Sequence, residues 1–186
     1  RISAAGTVLN TVQFVSDPGI NNYDPDLVWT GSQFGLLWVS DEMGSPIMYM
    51  PFNTIGIQTG PARQLTNTYQ SSMKNNPSLH YNGSFFAAAW EDYRDVNSRI
   101  YAVALQPDGT LLTGQTRVTN DPETSLNPSL SHGGTWFSVA YDNNRYGATE
   151  IFVSRLALDS DGDGLLNYQE SSTYGTNPND YDSDND

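Results

Sequence analysis

The stretch Asn76-Pro77-Ser78-Leu79-His80-Tyr81-Asn82-Gly83-Ser84-Phe85-Phe86-Ala87-Ala88-Ala89-Trp90 decides how the chain is read. Asn-Gly between two apolar segments is a strong short-range hairpin signal, so Asn82-Gly83 joins a strand over Pro77 to Tyr81 to a second over Phe85 to Trp90. The same residues, Asn82-Gly83-Ser84, are formally a glycosylation sequon, but read first as this turn. Side chains alternate across a strand. Phe86, Ala88 and Trp90 therefore share one face, and Phe85, Ala87 and Ala89 share the other. Both faces are apolar, and a sheet of this kind must be covered on both sides. Downstream, Ser98–Leu105 reads as a third strand, and Asp108-Gly109 turns into a fourth that ends at Thr119.

The pattern recurs. A proline preceded by Asp or Asn stands at Pro25, Pro77 and Pro128. Glycine follows six residues later (Gly31, Gly83, Gly134), phenylalanine nine later (Phe34, Phe86, Phe137) and a large aromatic thirteen later (Trp38, Trp90, Tyr141). Eleven further on stands another ring, at Tyr49, Tyr101 and Phe152. The second halves repeat too: Gly56 and Gly109 each lie eleven residues before Asn67 and Asn120, as Gly6 lies before Asp17. Residues 1–17 thus match the end of a unit, and residues 128–158 match a unit that lacks its end.

Four-stranded units of this length, apolar on both faces, predict an all-β fold of β-propeller-like blades with four antiparallel strands each, about three blades in all. A three-sheet solenoid or an irregular sandwich is the competing reading. Residues 1–158 form the blade region: 18–67 and 68–120 are whole units, and 1–17 is expected to supply the outer strand of the blade formed by 128–158. Three blades are few for a closed ring. The expected partners are therefore neighbouring blades of the same protein, or a second copy in a homodimer that closes six blades; an open arc is the third arrangement.

Composition narrows the function. The 186 residues carry 8 Lys plus Arg against 21 Asp plus Glu, a formal charge of -13. That charge argues against a nucleic-acid partner or an anionic membrane surface. No apolar run is long enough for a membrane-spanning helix. The absence of cysteine removes disulfides and thiolate chemistry, and two histidines, His80 and His132, cannot build a multi-histidine centre.

The blade units carry Asn76-Pro77-Ser78-Leu79 and Asn127-Pro128-Ser129-Leu130, followed by Phe-x-x-x-aromatic segments. In these features they resemble a degenerate repeat of large secreted or surface proteins of bacteria. The resemblance spans roughly 1–158 and implies a secreted or cell-surface location. It is specific for architecture and nearly silent on activity.

From Asp159 the composition changes. Asp159, Asp161 and Asp163 fall at positions one, three and five of a calcium loop, and Gly164 falls at the turn position six. The Leu165 carbonyl, Asn167 and Glu170 complete positions seven, nine and twelve. A hard cation takes six to eight oxygens, which this spacing supplies, so Ca2+ is the expected ligand. Tyr174-Gly175-Thr176-Asn177-Pro178 follows, and Asp182, Asp184 and Asp186 restart the one-three-five spacing. Residues 159–186 are similar to the thrombospondin type 3 calcium repeat. The resemblance implies a truncated second site and a parent protein that continues.

Other polar groups carry less weight. His80 and His132 stand three and four residues after their prolines, so they are not equivalent. Asp92 with Arg94 and Asp142 with Arg145 read as pairs that pin loops. Asp24, Asp26 and Asp92 are the carboxylates expected nearest a central mouth, and nothing in the sequence singles them out as catalytic. The reading is therefore a non-catalytic, calcium-binding extracellular module for adhesion to a glycan or surface protein. A rigid spacer is the alternative, and a glycoside-acting fragment a lesser one.

Overall fold

The structure, a computed structural model, describes residues 4–6, 16, 19–66, 72–134, 136–157, 173, 175 and 177. Within them lie three antiparallel sheets. Sheet I is β1 (Asn22–Trp29), β2 (Phe34–Ser40), β3 (Ile47–Phe52) and β4 (Arg63–Gln64), paired in that order. Sheet II repeats the arrangement with β5 (Lys74–Tyr81), β6 (Phe86–Asp92), β7 (Arg99–Leu105) and β8 (Thr116–Arg117). Sheet III contains β9 (Ser125–Gly133), β10 (Trp136–Asn143) and β11 (Glu150–Leu156). The expected outer strand of sheet III falls on 10–17, of which only Ser16 is described, so that pairing lies outside the described residues.

Sheet II is sandwiched. Its Phe86, Ala88 and Trp90 face, joined by Tyr101, Val103 and Leu105, packs on Leu37, Val39, Ile47 and Tyr49 of sheet I. Its other face, Ala87, Ala89, Ile100 and Ala102, packs on Leu130, Phe137, Val139 and Tyr141 of sheet III. The two-sided apolar pattern of residues 85–90 is thus satisfied by a sheet on each side. The two ends of the stack differ. On sheet III, Ile151 and Val153 are 70% and 69% exposed, although their counterparts Ile100 and Ala102 in sheet II are buried. On the far face of sheet I, Trp38, Met50 and Phe52 are buried, while Leu27 and Trp29 of the edge strand β1 are 58% and 45% exposed.

The repeated Asx-Pro has a structural cause. Asp24, Asn76 and Asn127 all adopt left-handed backbone, with φ of 51°, 47° and 53°. Asp and Asn are the non-glycine residues that tolerate this conformation best. In each sheet the register shifts at this point. The pairs 24–25, 76–77 and 127–128 each oppose one residue, which is the large aromatic Trp38, Trp90 or Tyr141. The proline has no N–H to waste at such a bulge.

One equivalence expected from spacing fails. Trp90 pairs with Tyr101, and Tyr141 pairs with Phe152, but Trp38 pairs with Met48. The link between β2 and β3 is one residue shorter, so Tyr49 pairs with Leu37 and points to the opposite face. A one-residue slip inverts a strand's faces. Tyr49 therefore faces sheet II, where its hydroxyl donates to the Pro107 carbonyl at 2.8 Å.

Candidate functional site at the inner strands

The inner strands β1, β5 and β9 lie side by side, and the three bulges meet there. They line an open polar crevice of about 370 Å³. Its hydrogen bonds repeat from sheet to sheet. Asp26 Oδ2 accepts the Leu79 N–H at 2.8 Å, and Ser78 Oγ accepts the Leu130 N–H at 3.0 Å. In both cases the residue after the proline of one sheet holds the second residue after the proline of the next.

The bulges add a second set of bonds. Asp24 Oδ2 accepts the Asn76 N–H at 3.1 Å, and Glu91 Oε1 accepts the Asn127 N–H at 2.7 Å. Glu91 also accepts from the Asn76 side-chain amide at 2.7 Å, and Asp142 accepts from that of Asn127 at 2.8 Å. Asn76 and Asn127 are nonetheless exposed to the crevice. Of the carboxylates expected near a central mouth, Asp24 and Asp26 are there.

Asp92 is elsewhere. It is fully buried and accepts from the Trp90 indole at 3.1 Å, the Arg94 backbone at 2.9 Å and the Ser72 hydroxyl at 3.0 Å, and it pairs with the Arg94 guanidinium at 2.5 Å. Burial alone would raise its pKa. The bonds from Arg94 and Trp90 outweigh that and hold the carboxyl below the usual range. Arg94 stacks on the Tyr101 ring at 4.0 Å, as Arg145 stacks on Phe152 at 4.0 Å. Both arginines pin loops, but the partner of Arg145 is Asp121, at 2.9 Å, and not Asp142, which the Asn127 bulge has taken. The residue of sheet III equivalent to Asp92 is Asn143, whose neutral amide holds Asp121 at 2.8 Å.

Spacing alone missed one constellation. His80 on β5 and His132 on β9 meet, with Nε2 of the first 2.9 Å from Nδ1 of the second. The signal was the adjacency of inner strands: nearly equal offsets after the proline suffice when the strands run side by side. Burial lowers the His80 pKa, His132 adds to the effect, and Asp26 opposes it. The expected calcium ligands Asp159, Asp161, Asp163, Leu165, Asn167, Glu170, Asp182, Asp184 and Asp186 lie outside the described residues. Among the described residues no group of three or more acidic, histidine or cysteine side chains is placed to hold a metal, and no helix is long and apolar enough to cross a membrane.

No protein-family model matches the chain, and no curated protein matches it. Among solved structures it is similar to the crystal structure of the endo-arabinase from Bacteroides thetaiotaomicron, with a TM-score of 0.56 and 12% identity. The likeness covers 84% of this chain and 63% of that one. At this identity it concerns the fold alone, a stack of repeated β-sheets.

Proposed function

We propose that the chain is a non-catalytic, calcium-binding propeller module of a larger secreted or cell-surface bacterial protein, which adheres to a glycan or protein ligand. The polar crevice of the inner strands carries this reading. Its acids are engaged in bonds between sheets, and Asn76 and Asn127 are exposed residues whose amides donate to Glu91 and Asp142 and keep part of their bonding capacity. Exposed amides beside fixed carboxylates suit a hydroxyl-rich ligand. The face-to-face stacking of three like sheets with adjoining inner strands, and the fold likeness to the endo-arabinase, support propeller blades.

Binding of the whole chain to a glycan array that includes arabinans tests the ligand. Asn76→Gly and Asn127→Gly keep the left-handed backbone and remove the amide. Loss of glycan binding in both supports the crevice as the site, and no glycan or surface-protein binding at all leaves the rigid spacer. A glycoside-acting reading is favoured by one observation, that Asp24 and Asp26 line the crevice. It needs two carboxylates free for acid and base work. Hydrolysis of arabinan abolished in Asp26→Asn would establish it in place of the adhesion reading.

The tail supplies the calcium part of the proposal through the loop spacing of residues 159–170. Calorimetric titration should show binding at extracellular calcium levels, weakened most by Glu170→Ala, with magnesium a poor substitute. The exposed Ile151 and Val153 face supports a further sheet as partner, from the same protein or from a second copy that closes six blades. Light scattering on the 186 residues separates the two.

A further inference from the structure

We infer that Leu158, the link between β11 and the calcium loop, docks in an apolar cavity between sheets II and III, and that this docking and calcium binding at residues 159–170 strengthen each other. The coupling rests on the calcium reading of the tail, and the docking rests on the repeat. After β7 the chain turns back onto sheet I. There the Pro107 carbonyl accepts from the Tyr49 hydroxyl at 2.8 Å and from the Gln33 amide at 2.7 Å, and the Asp108 carbonyl accepts from Arg63 Nε at 3.2 Å. Gly109 completes the approach, since a Cβ there would lie 2.8 Å from Arg63 Cδ and 2.9 Å from Tyr49 Cδ1. Leu105 ends β7 opposite Phe86, and Leu156 ends β11 opposite Phe137. Counting on from these pairs, Leu158 takes the place of Pro107, and Asp159 that of Asp108.

The receiving surface differs between the two interfaces. In sheet II, Phe85, Ala102 and Thr116 hold the places that Gln33, Tyr49 and Arg63 hold in sheet I. All three line a cavity of about 90 Å³, with Phe137, Leu156 and Ala157 also on its wall. A methyl in place of the tyrosine ring opens the space, and the Phe85 ring replaces an amide that donates to a carbonyl. A surface that grips a proline carbonyl through two donors has become one that takes an aliphatic side chain. Ala157 stands on the cavity wall, so the next residue reaches the cavity directly. Asp159, the first of the expected calcium ligands, follows Leu158 at once. A docked Leu158 therefore holds the start of the loop, and an ion that orders the loop holds Leu158 in turn. Such coupling is reciprocal: the factor that docking lends to calcium affinity, calcium lends to docking.

The chain has no cysteine, so Leu158→Cys carries a single thiol whose reaction with an aromatic disulfide reagent reports docking. In the metal-free whole chain this thiol should react slower than in urea by about 10-fold or more, and slower again in calcium. Adding Ala104→Leu, at a half-buried position on the cavity wall, fills the space without touching the tail and should restore fast reaction. In calorimetric calcium titrations, Leu158→Ala and Ala104→Leu should each lower the affinity by about 5-fold or more. Calcium should also raise the melting temperature of these two variants less than that of the parent. Circular dichroism checks that the variants fold. A thiol as reactive in the metal-free protein as in urea overturns the docking. Calcium bound as tightly by both variants as by the parent overturns the coupling. A parent that binds no calcium defeats the reading of the tail and the coupling with it, while the thiol still decides the docking.

Discussion

Gly35→Ala measures how closely sheets I and II approach. Gly35 sits in β2 on the face toward sheet II, and its φ is not in the left-handed region, so its backbone would accept alanine. A Cβ there would lie 2.8 Å from Phe86 Cζ and 2.9 Å from both Cε2 and the hydroxyl of Tyr49. Neither neighbour has room to yield. Phe86 and Tyr49 are fully buried, and the Tyr49 hydroxyl is tied to the Pro107 carbonyl at 2.8 Å. Overpacking of this kind costs about 1–3 kcal/mol, and the stiffer unfolded chain of the alanine variant returns about 0.4–1 kcal/mol. The net expectation is a loss of about 1–2 kcal/mol, which at this chain length lowers the melting temperature by about 2–8 °C. Urea unfolding of parent and variant gives the free energy directly. Combining the change with Phe86→Leu should cost less than the sum of the two single changes, because the shorter side chain vacates the space the new methyl needs. A Gly35→Ala variant as stable as the parent, or more stable, would refute the close contact of the two sheets.

Asp92→Ala should cost about 3–5 kcal/mol in urea unfolding, since it leaves the Arg94 guanidinium and the Trp90 N–H without their buried acceptor. The Asp92 carboxyl is held below its unfolded value, so its stabilisation is complete above about pH 4 and is lost as pH falls through the folded value; an Asp92→Asn variant should show a shallower acid limb. Tyr49→Phe removes one donor to Pro107, whose carbonyl keeps the Gln33 amide at 2.7 Å, so a loss of only about 0.5–1.5 kcal/mol is expected by thermal melting. Asn127→Ala should destabilise by about 1–2 kcal/mol more than Asn127→Gly, because only alanine is strained at this φ of 53°; equal losses would remove the bulge conformation as the reason for the residue.

The faces of β6 were legible because strand periodicity is local: Phe86 and Trp90 could only share a side, and they do. The repeated Asx-Pro was legible as a landmark but not as a cause, since a bulge is a relation between two strands and spacing describes one. Tyr49 shows the limit most clearly. Its offset of eleven matches Tyr101 and Phe152, yet one residue fewer in the β2–β3 link sets it on the opposite face. Arg145 pairs with Asp121 and not with the nearer-in-sequence Asp142 because it stacks on Phe152, on the Tyr141 face of β10, and Asp142 lies on the opposite face. Unequal offsets along the chain hide the approach of the two histidines, because their separation is set across neighbouring sheets.

The bonds from Asp26 to Leu79 and from Ser78 to Leu130 all run one way, acceptor on the earlier sheet and donor on the later. The stack therefore has a direction. At one end Leu27 holds the donor position, and at the other Ser129 holds the acceptor position. Two like ends brought together would set donor against donor or acceptor against acceptor. Only a head-to-tail approach continues the pattern, a heterologous contact that either closes into a ring or propagates without limit. Were copies to join in this way, curvature between sheets would decide between a finite particle and a fibre, and a substitution that altered the tilt of sheet III against sheet II would change the outcome.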